Sequence, residues 1–206
     1  MNEKIYLMKN TSKTWQPEHD KLLKYVSPER QIKIDRYKFD SDKVNSLYAA
    51  LLSRLGITRL LECSNSDLIF DYKENHKPVL NTSCHPNAAA IDFNFSHTKG
   101  AVIAGITTDE SIGVDIEKIA EPPYDVMRLV FHPSEIEYVN SFSGEAKSTA
   151  FYQIWTKKEA YTKCLGLGLA ADLCSINTLE APINSVIETW ADDDFMCSVC
   201  VIPKES

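Results

Sequence analysis

Two carboxylates one residue apart, Asp115 and Glu117, close the run Ile112-Gly113-Val114-Asp115-Ile116-Glu117. On a strand, alternation puts both acids on one face, their Cα atoms roughly 6.5 Å apart, while Ile112, Val114 and Ile116 point into the core. Two hard oxygens on one edge suit a divalent cation, and Mg²⁺ is typically held by one or two carboxylates together with substrate phosphates and water. A plain solvent-facing pair on a half-buried strand has the same spacing, so the pattern alone leaves both readings open. A second constellation is Trp155-Thr156-Lys157-Lys158-Glu159-Ala160-Tyr161-Thr162-Lys163. On a helix, Trp155, Glu159 and Lys163 form one stripe at i, i+4 and i+8, with Lys158 beside it. A carboxylate flanked by ammonium groups could take a metal and a phosphate together. It could equally be a surface ion pair worth about 0.3–0.5 kcal/mol. The third is Ser96-His97, at a strand-to-turn junction in Phe93-Asn94-Phe95-Ser96-His97-Thr98, where hydroxyl and imidazole could donate to phosphate oxygens.

These side chains need strands and helices to hold them. Residues 112–116 alternate as a half-buried strand, and 91–95 and 101–106 read as short strands on either side of Ser96-His97-Thr98-Lys99-Gly100. Residues 151–163 read as a helix stopped by Gly166 and Gly168. Residues 42–62 read as another, with Val44, Leu47, Leu51 and Leu55 at three-to-four spacing and Tyr48 and Leu52 widening the stripe. Residues 81–90 are a turn-rich loop. Glu121-Pro122-Pro123 breaks the pattern, and Pro133 opens a helix in which Ser134 and Glu137 have capping-box spacing. Residues 176–202 are mostly strands and turns. Strands and helices alternate irregularly, without repeated βαβ units, which predicts an α+β fold. A division falls near residue 106.

Composition bounds the function. The 206 residues are 44% hydrophobic and 25% charged, enough to build a core, and no apolar run approaches a membrane span. The start, Met1-Asn2-Glu3-Lys4, lacks the apolar core of a signal peptide, so a cytoplasmic protein is expected. A net charge of −7 argues against broad nucleic-acid binding. Within this acidic chain, residues 21–43 carry seven basic side chains against four acids, room for a small polyanion. Six scattered cysteines are expected as reduced thiols, and Cys197-Ser-Val-Cys200, on a strand, points its two sulfurs to opposite faces.

Taken in order, Phe93-Asn94-Phe95-Ser96-His97-Thr98, Gly113-Val114-Asp115-Ile116-Glu117-Lys118 and Trp155-x-x-Lys158-Glu159-x-x-x-Lys163 followed by Gly166-x-Gly168 resemble the 4′-phosphopantetheinyl transferase superfamily. Length and two-part organisation resemble its single-chain, Sfp-type branch. Ser27-Pro28-Glu29-Arg30 and Lys77-Pro78 match the N-terminal half, and agreement fades after residue 175. The resemblance implies two similar subdomains, residues 1–105 and 106–206, in pseudo-twofold relation, each a small, mainly antiparallel sheet packed with helices. It implies transfer of the phosphopantetheine arm of coenzyme A to a serine of an apo acyl or peptidyl carrier protein, releasing 3′,5′-ADP, by a monomer needing Mg²⁺ or Mn²⁺. By the same resemblance Asp115, Glu117 and Glu159 would bind the metal. Lys158, Lys163 and Asp115 would meet the phosphates, and Ser96 and His97 the nucleotide end. Arg30, Lys33, Ser46, Lys77 and Pro78 would hold the 3′-phosphate and adenine region. Arg30 stands where lysine is commoner and Ser46 where threonine is frequent; each keeps a donor. Glu135, in Phe131-His132-Pro133-Ser134-Glu135, matches a further family acid that would support the site. Glu159 is the expected base, directly or through water, and Lys163 the group that meets the departing charge. Two rivals share these residues: a Mg²⁺-dependent nucleotide pyrophosphate hydrolase, and a non-catalytic module that binds carrier proteins.

Overall fold

The computed structural model describes residues 3–72, 78–167 and 172–204. They gather into two compact units, Met1–Asp109 and Glu110–Ser206. Both are built from small antiparallel sheets and helices, the α+β class that the irregular alternation of elements predicts.

The first unit holds strand β1 (Lys4–Lys9), helices α1 (Pro17–Leu23), α2 (Pro28–Asp35) and α3 (Asp40–Leu61), a hairpin of β2 (Phe70–Tyr72) and β3 (Pro78–Leu80), and strands β4 (Ile91–Thr98) and β5 (Ala101–Thr108). Its main sheet runs β1-β5-β4. Pairing of Ser96 with Ile103 and His97 with Val102 extends β4 through Thr98. The connection is therefore only Lys99-Gly100, with Gly100 at φ 90°. Ser96 and His97 are strand residues rather than parts of the turn expected from sequence. Alternation along β4, an edge strand paired with β5, sends the two side chains to opposite faces. Phe93, with Ala104 and Ile106 across from it and from Phe95, packs with Ile57 and Leu61 of α3. The face carrying Phe93, Phe95 and His97 is thus the helix side.

Helix α3 begins at Asp40, two residues before the expected start. Val44 and Leu47 are buried as the stripe predicts, but Leu55 is 40% exposed. A 3.6-residue period turns the buried line on to Ala50, Ile57 and Leu61 instead. Polar residues lie along the same line: Asn45 is satisfied by Thr11 and the Thr98 carbonyl, and Ser53 by the Ala49 carbonyl. Arg54 donates to Asn65 Oδ1 at 2.7 Å and to the Asn65 carbonyl at 3.1 Å.

The second unit holds β6 (Glu110–Lys118), α4 (Met127–Val130), α5 (Pro133–Asn140), α6 (Gly144–Leu165), β7 (Val186–Asp192) and β8 (Phe195–Pro203), its sheet ordered β6-β8-β7. Helix α6 starts seven residues before the expected 151. Gly166, at φ 69°, closes it as predicted. Helix α5 is capped differently from the Ser134/Glu137 reading. Pro133 takes the first helical position, which makes His132 the N-cap, and Glu135 Oε2 accepts from the His132 backbone N–H at 2.8 Å. Cys197 and Cys200 are buried on β8, and Cys200 packs with Ala160 and Cys164 of α6. No helix among the described residues is long and apolar enough to cross a membrane.

Gly113 decides how closely α6 lies on the sheet. A Cβ there would meet the Ala160 carbonyl oxygen at 2.0 Å and the Cys164 nitrogen at 2.4 Å. Both atoms are helix backbone and cannot yield without moving α6. Gly113→Ala is expected to lose about 3 kcal/mol or more in chemical denaturation, and a parent-like unfolding midpoint would show that α6 gives way freely.

Candidate active site

Strand β6 and helix α6 supply the acidic site. Asp115 lies on the α6 side of β6, two residues from Gly113, and is 2% exposed. Of the two readings that the spacing left open, the solvent-facing one fails at Asp115, because α6 covers that face. Helical side chains lean toward the N-terminus, so Lys163 reaches back along its own helix. Its Nζ lies 2.6 Å from Asp115 Oδ1 and 3.9 Å from Glu159 Oε2. One ammonium is held between two carboxylates from different elements. Burial pushes the Glu159 carboxyl above the usual carboxylate range; the Lys163 charge opposes that shift and the Asp115 charge adds to it. Glu117, half-buried, follows two residues along the same strand face. Among the described residues no three His, Cys, Asp or Glu side chains are gathered within metal-holding reach. Asp115 and Glu159 nonetheless offer the two hard carboxylates that Mg²⁺ uses alongside phosphates and water, so the donor set fits that ion.

Lys158 is not a phosphate contact here. It is 2% exposed, and its Nζ donates to Glu135 Oε2 at 2.8 Å, to the Leu173 carbonyl at 2.7 Å and to the Ile176 carbonyl. An ammonium has three protons, and all three are engaged. Glu135, 0% exposed, spends its other oxygen on Thr178, accepting from the backbone N–H at 2.7 Å and from Oγ1 at 2.8 Å. The pair therefore ties α5 and α6 to the segment around residues 173–178. Thr178 carried no sequence signal, since one threonine in a polar tail looks like any other. Breaking one side of such a pair strands a buried charge. Glu135→Ala is expected to cost about 3–5 kcal/mol, read by urea denaturation; an unchanged midpoint would show that the pair is dispensable. Trp155 likewise belongs to the packing, stacked on Phe151 at 5.9 Å in a buried cluster with Phe131 and Ile154.

The remaining candidates lie in the first unit. Arg30, buried on α2, directs Nη1 to Ser46 Oγ at 3.4 Å and sets its guanidinium 5.3 Å from the Phe95 ring centre. A cleft lined by Ser27, Arg30, Arg54, Phe70, Pro78 and Phe95 opens beside it. Lys33 is exposed on the same helix, its ammonium held below the usual lysine range by partial desolvation and by the Arg30 charge. His97 lines a second, polar recess with Thr11, Lys13, Asn45 and Lys99. Ser96, on the opposite face of β4, does not share it. Lys77 lies outside the described residues; Pro78 begins β3. Arg30 and Ser46 are thus brought together, whereas Ser96 and His97 are not.

Both units resemble known proteins. Residues 111–205 match the family model described as the 4′-phosphopantetheinyl transferase superfamily, and residues 13–108 the one described as 4′-phosphopantetheinyl transferase, N-terminal. The 4′-phosphopantetheinyl transferase ffp of Bacillus subtilis is 30% identical over 162 residues, covering 79% of this chain and 70% of that protein. The 4′-phosphopantetheinyl transferase gsp of Aneurinibacillus migulanus is 31% identical over 144 residues, 70% of this chain. The slr0495 protein of Synechocystis is 31% identical over 150 residues, 72% of this chain. The chain spans 57% of the length of gsp and 60% of that of slr0495.

Proposed function

The chain belongs to the 4′-phosphopantetheinyl transferase superfamily, and on that premise we propose that it transfers the phosphopantetheine arm of coenzyme A to a serine hydroxyl of an apo carrier protein, releasing 3′,5′-ADP. The observation that carries this reading is the Lys163 ammonium held between Asp115 and Glu159, on the two elements that bear the matching motifs. Serine attack on the β-phosphorus requires removal of the hydroxyl proton, neutralisation of the pyrophosphate and stabilisation of the leaving phosphate. Glu159 takes the proton, directly or through a water. Burial raises its pKa in the metal-free fold, whereas an oxygen bound to a cation is a poorer base, which favours the route through water. Lys163 meets the charge that develops on the departing oxygen. Asp115 and Glu159 would hold Mg²⁺, or Mn²⁺ in its place, with the Glu117 side chain turning in to join them, and the ion would supply charge neutralisation at the pyrophosphate. Arg30, Lys33, Ser46, His97 and the Lys77-Pro78 step hold the nucleotide end, with Ser96 on the other face of β4 contributing at most through its backbone.

A monomer working in the cytoplasm, serving fatty-acid, polyketide or peptide-synthetase carriers, completes the proposal. The test is a panel of purified apo-carriers incubated with coenzyme A and Mg²⁺, each read by the mass gain of the arm. Coenzyme A cleaved with no carrier modified would favour the hydrolase. Carrier bound with no turnover would favour the binding module.

The nucleotide-end assignment makes its own prediction. Lys33→Ala and His97→Ala should raise KM for coenzyme A about tenfold while leaving kcat within about twofold, because contacts equal in ground and transition states affect binding alone. If Lys33 holds the 3′-phosphate, its loss should matter little with dephospho-coenzyme A. A collapsed kcat at unchanged KM would contradict the assignment.

A further inference from the structure

The α6 side of the second sheet is lined largely by small or apolar groups. Ala160, Cys164 and Cys200 form one buried cluster, and Gly113 lets the helix backbone rest on the strand. The Gly113 contact sets how closely the helix lies, while the apolar contacts around it are weakly directional along β6 and β8. Polar contacts interrupt them: the Lys163–Asp115 pair at 2.6 Å, a Cys164 Sγ donation to the Ser111 carbonyl at 3.2 Å, and a buried run of hydroxyls. Ser198, fully buried in the middle of β8, is the register partner of Asp115 on one side and of Thr189 on the other. Its Oγ lies 2.8 Å from Thr156 Oγ1 on α6 and 2.8 Å from Thr189 Oγ1 on β7. Thr156, also fully buried, donates to the Tyr152 carbonyl at 2.9 Å. Each hydroxyl has one hydrogen. With that of Thr156 spent on Tyr152, Ser198 donates to Thr156 and Thr189 donates to Ser198. The run points one way, from β7 through β8 into α6, and ends on a backbone carbonyl.

We propose that the Thr189–Ser198–Thr156 run sets the register of α6 on the sheet, and so the approach of Lys163 and Glu159 to Asp115, making Thr156 and Ser198 positioning residues. Thr156, Ala160, Lys163 and Cys164 share one helix face, so the anchor and the reacting lysine move together. At the other end the anchor is Ser198, cross-strand neighbour of Asp115. The three hydroxyls therefore tie α6 to β8, the strand whose ladder holds β6 and Asp115. Buried hydroxyls are costly to leave unmatched, so the run adds a directional penalty against a slide of about 1 Å. A misplacement of that size is enough to cost about 10²-fold in rate.

The activity arm of this inference rests on the proposed transferase reaction and the Mn²⁺ arm on the proposed metal site; the acetylation arm rests on neither. Thr156→Val keeps shape and removes the hydroxyl, Thr156→Ser restores it, and Ser198→Ala removes the central link. Mn²⁺ titration followed by electron paramagnetic resonance should show about tenfold weaker binding in T156V and S198A and parent-like binding in T156S. Acetylation of Lys163 under native conditions, followed by mass spectrometry, should quicken several-fold in the same two variants and not in T156S. The kcat for arm transfer should fall about tenfold, with KM for coenzyme A within about twofold, since the residues assigned to the nucleotide end belong to the other unit. Should T156V fail to fold, S198A decides. Parent-like Mn²⁺ affinity and parent-like Lys163 acetylation in S198A, whatever its melting temperature, overturn the proposal and leave the hydroxyls a purely structural role. A parent chain that modifies no carrier sinks the transferase reading alone, and the Mn²⁺ and acetylation arms still judge this one.

Discussion

Asp115→Ala is expected to lower kcat/KM for arm transfer by about 10³-fold or more, equivalent to about 4 kcal/mol of transition-state stabilisation. Asp115 meets α6 through Lys163, so removing it takes away both a ligand of the expected cation and the anchor of the lysine that faces the leaving oxygen. The fold should survive. Lys163, whose side chain is 29% exposed, can turn to solvent once its partner is gone, so no charge is left buried. That separates Asp115→Ala from Glu135→Ala, where Lys158 has no such exit. Asp115→Asn, which keeps the volume and loses the charge, should match the alanine variant in activity. The check is steady-state transfer with and without a chelator, alongside thermal melts. Full activity of Asp115→Ala in chelator-treated buffer would end the metal assignment, and a collapse of the melting transition would move Asp115 from chemistry to structure.

Local patterns made most elements legible. The alternation of Ile112, Val114 and Ile116, fully buried in the fold, gave strand β6 and the face of Asp115. The helical stripe through Glu159 and Lys163 gave α6, and Gly166 its end. What single-sequence periodicity could not show was which polar residues would be covered. Lys158 and Glu159 are neighbours with like patterns of flanking residues, yet a helix sends adjacent side chains about 100° apart. Lys158 turned to Glu135 and two carbonyls, while Glu159 turned to Lys163 and Asp115. Only the long-range packing of residues 173–178 decides between those outcomes. Ser96 and His97 were joined by proximity in sequence and separated by the pleat, because β4 runs three residues further than its apolar alternation indicated. Ser198 did leave a trace, a polar residue inside the apolar run from Met196 to Ile202. Its partners, 42 and 9 residues away, did not.

Glu159 and Lys163, one helical turn apart, should fail in different ways. Glu159→Gln keeps size and hydrogen bonding and loses the charge, so it should lower kcat by about 10²–10⁴-fold, the usual worth of a general base. Saturating Mg²⁺ should restore little of it. Lys163→Arg keeps a positive charge but spreads it over a planar fork in place of a point charge, so partial activity should survive, and Lys163→Ala should do worse. The pH dependence separates the two roles: the wild type and Lys163→Arg lose kcat on the acid side as the proton acceptor protonates, whereas Glu159→Gln has lost that limb. Stability gives an independent reading in chelated buffer. Because the folded Glu159 carboxyl sits above its ordinary range, the fold binds its proton more tightly than the unfolded chain does. The resulting stability is fully present below the ordinary carboxylate range and is lost as pH rises through the raised value. Neutral Gln escapes that loss, so Glu159→Gln should melt higher than the wild type at pH 7–8, with the gap closing toward pH 4. A variant that is inactive yet more stable at neutral pH places Glu159 among residues kept for chemistry at the expense of the fold. If Glu159→Gln keeps near-normal kcat and the wild-type acid limb at high Mg²⁺, Glu159 is not the base. Buried Glu135, with both oxygens already engaged, could not take its place without first breaking from Lys158 and Thr178, and the proton would then have to leave through water.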